Sequence, residues 1–299
     1  LSQTLVQTIK RTRRYGVGVE SNLELGLHHI TVLGAGIDLT QVEQLEDLVY
    51  VDGASEAVSP SSFHAEQGSE IRDAFAFAQH TWTVNWWLEM TGGVRMDAYN
   101  YSGLSLSPRA GILVVPTANS SLKLLYGQAF RAPNARELMV YVEPDENGEV
   151  PFTNGNPELR PESIDTLEMA FSTKLVQTLS LEGSIFYSLI KDGINKVNES
   201  HPELGNQYYA NLDSSLAYGG EGRLRWTPYR NLVDVNFSYT RAIDRETKFA
   251  QYEFPPLMGH FQLGRELSDG LWLGIRGDAY GPRPRSEWTP NSGLADGDP

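Results

Sequence analysis

The 299-residue chain has 24 Lys and Arg against 38 Asp and Glu, which gives a net charge of −14 at pH 7. This acidic balance argues against a nucleic-acid partner, because phosphate recognition needs a basic surface. The absence of cysteine excludes disulfides, thiolate metal ligands and a cysteine nucleophile. No run approaches the 18 apolar residues of a membrane-spanning helix. Abundant Tyr, Trp and Gly favour a large antiparallel β protein, either soluble or membrane-embedded.

Alternation of apolar and polar residues predicts β-strands along nearly the whole chain. In the clearest segment, Trp86 to Ala98, one face is mainly apolar and the other mainly polar. The same period of two recurs at 166–174, 179–189, 233–240 and 271–278. Such long segments are typical of strands that cross a bilayer, which have about 9–11 residues, rather than of ordinary strands of about 5–6. We predict roughly 13 strands in all.

The connections between these strands are predicted to alternate between short and long. Short connections lie near Asn85 and at 116–121, 176–178, 227–231 and 268–270. Long polar connections lie at 42–72, 99–107, 131–162, 191–216 and 241–256. Aromatic residues flank several of the short turns: Trp82, Trp86, Trp87, Trp226, Tyr229 and Trp272. Outer-membrane barrels share both features, although ordinary core aromatics of a soluble β protein are the alternative interpretation.

Five motifs recur in order along the chain: Ala76–Trp82 with Gly92–Asp97, Ser107–Gly111, Leu122–Pro133 with Glu137–Leu138, Gly155–Glu162 with Thr166–Glu168, and Phe186–Tyr187 with Lys191–Ile194. Together they resemble the strand motifs of TonB-dependent outer-membrane receptors. Their order and spacing agree over about 75–240, and more loosely to 281. One departure is small: this chain has His80 and Thr81 where the family often has acidic residues.

The resemblance implies an all-β fold, an antiparallel transmembrane β-barrel segment. It corresponds to roughly 13 strands of an expected 22-stranded barrel and is therefore incomplete. We expect residues 1–299 to form a partial TonB-dependent receptor β-barrel domain. The plug domain and the closing strand of the family are expected to be absent from it.

The family motifs imply mainly structural roles for ten residues. They are Arg109, Tyr126, Phe130, Arg131, Pro133, Glu137, Asn156, Pro157, Pro161 and Glu162. Pro133 lacks an N–H and so can end a ladder at the rim of a sheet. Arg160 is expected to pair with Glu162 across the base of the loop. Ligand or lumen contact is the alternative role for four arginines: Arg95, Arg131, Arg136 and Arg160.

No catalytic, cofactor or metal site is predicted. His28 and His29 are adjacent, so in a strand they point to opposite faces and cannot share a metal ion. Asp145–Glu149 lacks the full ligand spacing of a calcium loop. Gly34–Gly36 lacks the third glycine of a dinucleotide motif. We therefore expect a protein that is not an enzyme.

The function implied by the resemblance is TonB-energised uptake of a scarce ligand across the bacterial outer membrane. A siderophore–iron complex or cobalamin is the kind of ligand expected. Expected partners are the protein's own plug domain, TonB through the N-terminal region, outer-membrane lipid and a small-molecule ligand, with no nucleic acid. Two alternatives stay open: a passive porin-like channel and a secreted β binding protein.

Overall fold

The computed structural model describes residues 4–51, 69–139, 153–199, 201, 204, 207–212, 214–245, 248 and 254–283, with side chains from residue 11 to 43 in the first range. These residues form fourteen strands and one short helix, α1. The strands are β1 Thr4–Glu24, β2 His29–Val51, β3 Glu70–Asn85, β4 Leu88–Tyr99, β5 Gly103–Thr117, β6 Ser120–Arg131, β7 Glu162–Val176, β8 Leu179–Lys191, β9 Gly193–Val197, β10 Tyr208–Leu212, β11 Ser215–Trp226, β12 Asn231–Asp244, β13 Leu257–Ser268 and β14 Leu271–Tyr280. Helix α1 covers Ala135–Met139. In the described part of the chain, no helix has the length and apolar character needed to cross a membrane.

Twelve of the strands form one sheet in which chain neighbours pair, in the order β1 to β8 and then β11 to β14. The registers that pair β1 to β4 and β11 to β14 are antiparallel. Strands β9 and β10 form a separate antiparallel ladder. This meander confirms the predicted all-β antiparallel fold.

The chain divides into two compact units. The first contains Leu1–Gly111, Tyr126–Asp165 and Ile190–Asp213, and the second contains Ile112–Leu125, Thr166–Leu189 and Ser214–Pro299. Strands β1 to β4 belong to the first unit, and strands β11 to β14 belong to the second.

Strands β2 to β4 of the first unit have an apolar face and a charged face. On the apolar face, Ala76 pairs with Met96 and Ala78 with Val94. The side chains of Val94 and Met96 are exposed, at 46% and 44%. On the charged face, the register places Phe77 opposite Arg95. The alternation predicted for 86–98 is therefore confirmed from Glu89 to Ala98, whereas Trp86 and Trp87 are both exposed in the turn between β3 and β4.

Two glycines of β2 allow aromatic rings to lie flat on the charged face. A Cβ at Gly36 would lie 2.6 Å from Cζ of Phe75 and 2.7 Å from the carbonyl oxygen of Val17. At Gly34 it would lie 2.3 Å from Cζ of Phe77. Because real Cβ atoms do not approach other atoms this closely, only glycine fits under these rings.

The second unit repeats the exposed apolar pattern on β7 and β8. Leu167, Met169 and Phe171 alternate along β7 and are exposed at 50%, 42% and 47%. Ile185 and Tyr187 do the same on β8, at 55% and 49%. A strand that exposes apolar side chains at every second position presents a surface suited to lipid.

Several of the predicted loops contain regular structure. Strand β2 continues to Val51 and so occupies part of the predicted 42–72 loop. The 99–107 connection is a tight turn, because β5 already begins at Gly103, whose φ of 77° favours glycine. Residues 191–216 contain the β9–β10 hairpin. The calcium-like segment Asp145–Glu149 lies outside the described residues.

Candidate functional site

Four of the family-motif residues, Arg131, Glu137, Asn156 and Glu162, gather where strands end at the long connections, in the first unit. Helix α1 begins there at Ala135, four residues after β6 ends at Arg131. Asn134 Oδ1 accepts hydrogen bonds from the N–H groups of Arg136 and Glu137, at 2.9 and 3.1 Å. In return, Oε2 of Glu137 accepts the N–H of Asn134 at 2.8 Å. This reciprocal cap lets so short a helix form and fixes the carboxylate of Glu137 in place.

Arg131 joins this helix to the start of β7. Its Nη1 donates to both carboxylate oxygens of Glu137, at 2.9 and 3.1 Å. Its Nε and Nη2 donate to Glu162, at 2.5 and 3.1 Å. Glu162 Oε2 also accepts the N–H of Ile194 at 3.1 Å, which adds strand β9 to the network. One planar guanidinium thus connects β6, α1, β7 and, through Glu162, β9. Lysine could not replace it, because an ammonium group lacks the planar fork of donors that binds carboxylates in pairs of hydrogen bonds.

The electrostatics of Glu162 reflect this arrangement. Burial alone would raise the pKa of the Glu162 carboxyl. The hydrogen bonds from Arg131 and from the Ile194 N–H outweigh burial and hold this pKa below its usual value. The same bond to Glu162 raises the pKa of Arg131, so both groups are charged at neutral pH.

Three asparagines attach the segment before β7 to the β9–β10 hairpin. Asn154, 1% exposed, donates from Nδ2 to the carbonyl of Leu204 at 2.9 Å. Asn156 donates its N–H to the carbonyl of Glu137 at 2.7 Å and its side-chain amide to that of Tyr209 at 3.1 Å.

Asn211 completes this attachment. Its Nδ2 donates to the carbonyls of Arg160 and Asp192, both at 2.8 Å, and its Oδ1 accepts the N–H of Arg160 at 2.8 Å. The hairpin and the segment before β7 are thus held together mainly through hydrogen bonds to backbone groups.

Arg160 pairs with Asp192 and not with Glu162, so the predicted pairing across the loop base is wrong. The distance from Arg160 Nη2 to Asp192 Oδ1 is 2.6 Å. Asp192 has a positive φ of 54°, in the left-handed region that aspartate tolerates. The guanidinium stays accessible, because 70% of the Arg160 side chain is exposed.

The remaining predicted residues lie apart from this network. Pro133 is buried beside α1, Pro157 is exposed in a turn, Pro161 is half-buried and Arg109 is exposed on β5. Tyr126 donates its hydroxyl to Asp165 at 2.9 Å. Phe130 meets the ring of Tyr99 edge-on, with 6.1 Å between centroids. Arg136 is half-buried in α1.

Arg95 lies on the charged face of β4. Its guanidinium is bound bidentately by Asp97 at 2.6–3.0 Å and lies 4.2 Å from the ring centre of Phe75.

The structure therefore brings together Arg131, Glu137, Asn156 and Glu162, with Arg160 attached through Asn211. Sequence reasoning missed Asn134, Asn154, Asp192 and Asn211. The spacing of Asn134 and Glu137 is that of a capping box and could have identified the first of these. The others depend on the hairpin, which the sequence did not predict.

The family model described as TonB dependent receptor-like, beta-barrel matches residues 2–296. This chain belongs to that family. It is therefore part of a β-barrel of the bacterial outer membrane. Among curated proteins, no sequence matches the chain.

Solved structures share its fold. The siderophore receptor PirA from Pseudomonas aeruginosa superposes with a TM-score of 0.67 at 18% identity, over 91% of this chain and 46% of that one. A mutant of the ferric enterobactin receptor PfeA from the same organism, in complex with enterobactin, gives 0.66 at 20%, over 91% and 42%. The FrpB iron transporter from Neisseria meningitidis gives 0.64 at 15%, over 91% and 43%. The chain spans less than half the length of each of these proteins.

Proposed function

We propose that this chain is the larger part of the barrel domain of an outer-membrane receptor that takes up a siderophore–iron complex. In this proposal TonB energises the uptake, and an N-terminal plug domain outside residues 1–299 fills the barrel. Family membership supports a transport receptor, and PirA and PfeA are named for siderophores. We assign the barrel no enzyme activity.

The observation that carries the proposal is the bracing of long connections onto rigid strand ends by Arg131. Binding sites are commonly built on loops that a rigid scaffold positions. Here the 131–162 connection and the β9–β10 hairpin are fixed to β6 and β7 through Glu137 and Glu162. Arg160 extends from the same platform and supplies an accessible cation for an anionic iron complex.

The charged face of the first unit supports a plug as partner. Asp73 is only 9% exposed, and its Oδ1 has no hydrogen-bond partner among the described residues. An orphaned buried carboxylate oxygen is costly. A cationic or amide side chain of the plug would satisfy Asp73 from the lumen.

Uptake of iron by cells tests the function. A strain in which the full gene is deleted should lose uptake of radioactive iron supplied as one ferric siderophore from a panel. Restoring the gene should restore uptake, and dissipating the proton gradient should abolish it. Uptake that persists without the gradient, together with large conductance in planar bilayers, would overturn the proposal in favour of a passive channel.

The flanking sequence provides a second test. A signal peptide followed by a plug of about 130 residues would support the proposal. Barrel strands that follow the signal peptide directly would refute the role given to TonB. A full-length protein that is soluble without detergent would instead favour a secreted binding protein.

A further inference from the structure

Two histidines lie together on the lipid-facing side of β2 and β3, at the end with short turns. The register pairs Thr31 with His80 and His29 with Trp82. All four residues share the face that carries Leu33 and Ala78. Nδ1 of His29 lies 3.1 Å from Nε2 of His80.

We infer that His29 and His80 form a binding site for a divalent transition-metal ion, with copper, nickel and zinc as candidates. Two nitrogens bound to one tetrahedral zinc at about 2.0–2.1 Å lie about 3.3–3.4 Å apart. The observed separation is within a few tenths of an ångström of this value. Imidazole nitrogen is a preferred ligand of all three metals, and Cu²⁺ binds such donors most tightly.

Thr31 is placed to hydrogen-bond the ring nitrogen of His80 that does not face His29. Its Oγ1 lies 2.8 Å from Nδ1 of His80. When His80 donates its Nδ1–H to this hydroxyl, Nε2 keeps its lone pair directed at His29. Metal-bound histidines usually donate their other N–H in this way, which fixes the tautomer and the ring orientation.

Binding exchanges a hydrogen bond for two metal–nitrogen bonds. In the tautomer in which His80 donates its Nδ1–H to Thr31, the proton between the rings is carried by His29 Nδ1 and is donated to Nε2 of His80. In the metal-bound form His29 carries this proton on Nε2, so both rings remain neutral and Nδ1 is free to coordinate. In the described residues no group of three or more His, Cys, Asp or Glu could hold a metal, so water completes the coordination.

The rings around the pair make the site rigid and give it an optical reporter. His29 stacks on His80 with centroids 5.2 Å apart and on Trp82 with centroids 5.8 Å apart. His80 and Trp82 are both exposed on this face, so the ion can enter from the interface. Cu²⁺ bound between the histidines would quench the fluorescence of Trp82 strongly at this distance.

Titration of the full-length receptor in detergent with copper sulfate tests the inference. We expect saturable quenching that chelator reverses and that is missing from Trp82→Phe. His29→Ala and His80→Ala should lose this component, whereas His28→Ala, the adjacent exposed histidine, should keep it. Thr31→Val should weaken copper binding about 10- to 100-fold. Thr81→Val is the matched control, because Thr81 bonds Thr91 instead.

Electron paramagnetic resonance of the copper-loaded protein gives an independent readout. The spectrum of wild type should show coupling to two imidazole nitrogens, and Thr31→Val should keep it when copper is saturating. This arm decides the question if the histidine variants fail to fold. The inference is overturned if wild type shows no saturable quenching of Trp82 or fewer than two coupled imidazoles. Retention of the site in His29→Ala and His80→Ala would also overturn it.

Discussion

Replacing Arg131 with leucine should open the platform at the loop end without unfolding the barrel. The change removes the cation shared by Glu137 and Glu162, whose side chains are only 12% and 26% exposed. Hydrogen bonds to charged groups are worth about 1.5–3 kcal/mol, and breaking a buried ion pair by deleting one partner costs about 3–5 kcal/mol. Because the Arg131 side chain is 43% exposed, water offsets part of this loss. We expect local opening to become easier by about 2–3 kcal/mol.

Hydrogen–deuterium exchange of the full-length receptor measures this opening. The N–H groups of Asn134 and Ile194 donate to the two carboxylates, so peptides covering 132–138 and 192–197 report on the network. A loss of about 2–3 kcal/mol corresponds to exchange that is about 30- to 140-fold faster. A peptide covering 86–91, at a short turn, should exchange as in wild type.

Two further variants separate bracing from a general effect of lost charge. Arg131→Lys should be intermediate, because lysine keeps the charge but not the planar fork. Arg109→Leu, at an exposed arginine of β5, should leave both peptides unchanged. Unchanged exchange in Arg131→Leu would refute the bracing argument.

Three more predictions follow from particular contacts. Because the pKa of the Glu162 carboxyl is lowered in the folded state, the stability that its bonds to Arg131 and Ile194 contribute is present above the usual glutamate pKa of about 4.3 and is lost as the pH falls through the folded-state pKa. Hydrogen–deuterium exchange of the peptide 192–197 should therefore show more frequent opening in acid. Glu162→Gln should flatten that pH dependence. Gly36→Ala should destabilise the barrel by about 1–3 kcal/mol in urea titrations, whereas Gly92→Ala, with open space around its Cβ, should be near neutral; equal effects would contradict the packing argument. Met169→Arg should cost about 2–4 kcal/mol if it faces the bilayer core, whereas Glu168→Arg on the opposite face should cost less; the reverse order would invert the assigned faces.

The strands could be predicted from the sequence because a sheet with one apolar and one polar face imposes a period of two. Residues 89–98 show this directly, and the paired register of β3 and β4 agrees with it. The predicted bounds of the loops were wrong where they were based on polar composition and not on the alternation of apolar and polar residues. Residues 99–107 are rich in Ser, Asn and Gly, yet the chain turns within Asn100–Ser102 and β5 begins at Gly103. Polar residues occur both in loops and on the water-facing side of a strand, so their presence does not locate the end of a strand.

The partners of the site could be predicted only where the contact is local. Asn134 and Glu137 lie three residues apart, a spacing that a capping box makes visible. The partner of Glu162 in the structure is Arg131, 31 residues away, and not the nearby Arg160. Proximity in sequence favoured the wrong arginine. Arg160 lies in the segment before β7, which Asn211 of the hairpin holds, whereas Glu162 is already the first residue of β7.

The histidine pair shows the same limit most sharply. Adjacent His28 and His29 cannot share an ion, and that argument from the sequence remains correct. The partner of His29 is His80, 51 residues along the chain, and only the register of β2 on β3 brings their nitrogens together. A shift of one residue in that register would place His80 on the opposite face. Metal binding by this pair would therefore report the register itself, which composition and periodicity leave open.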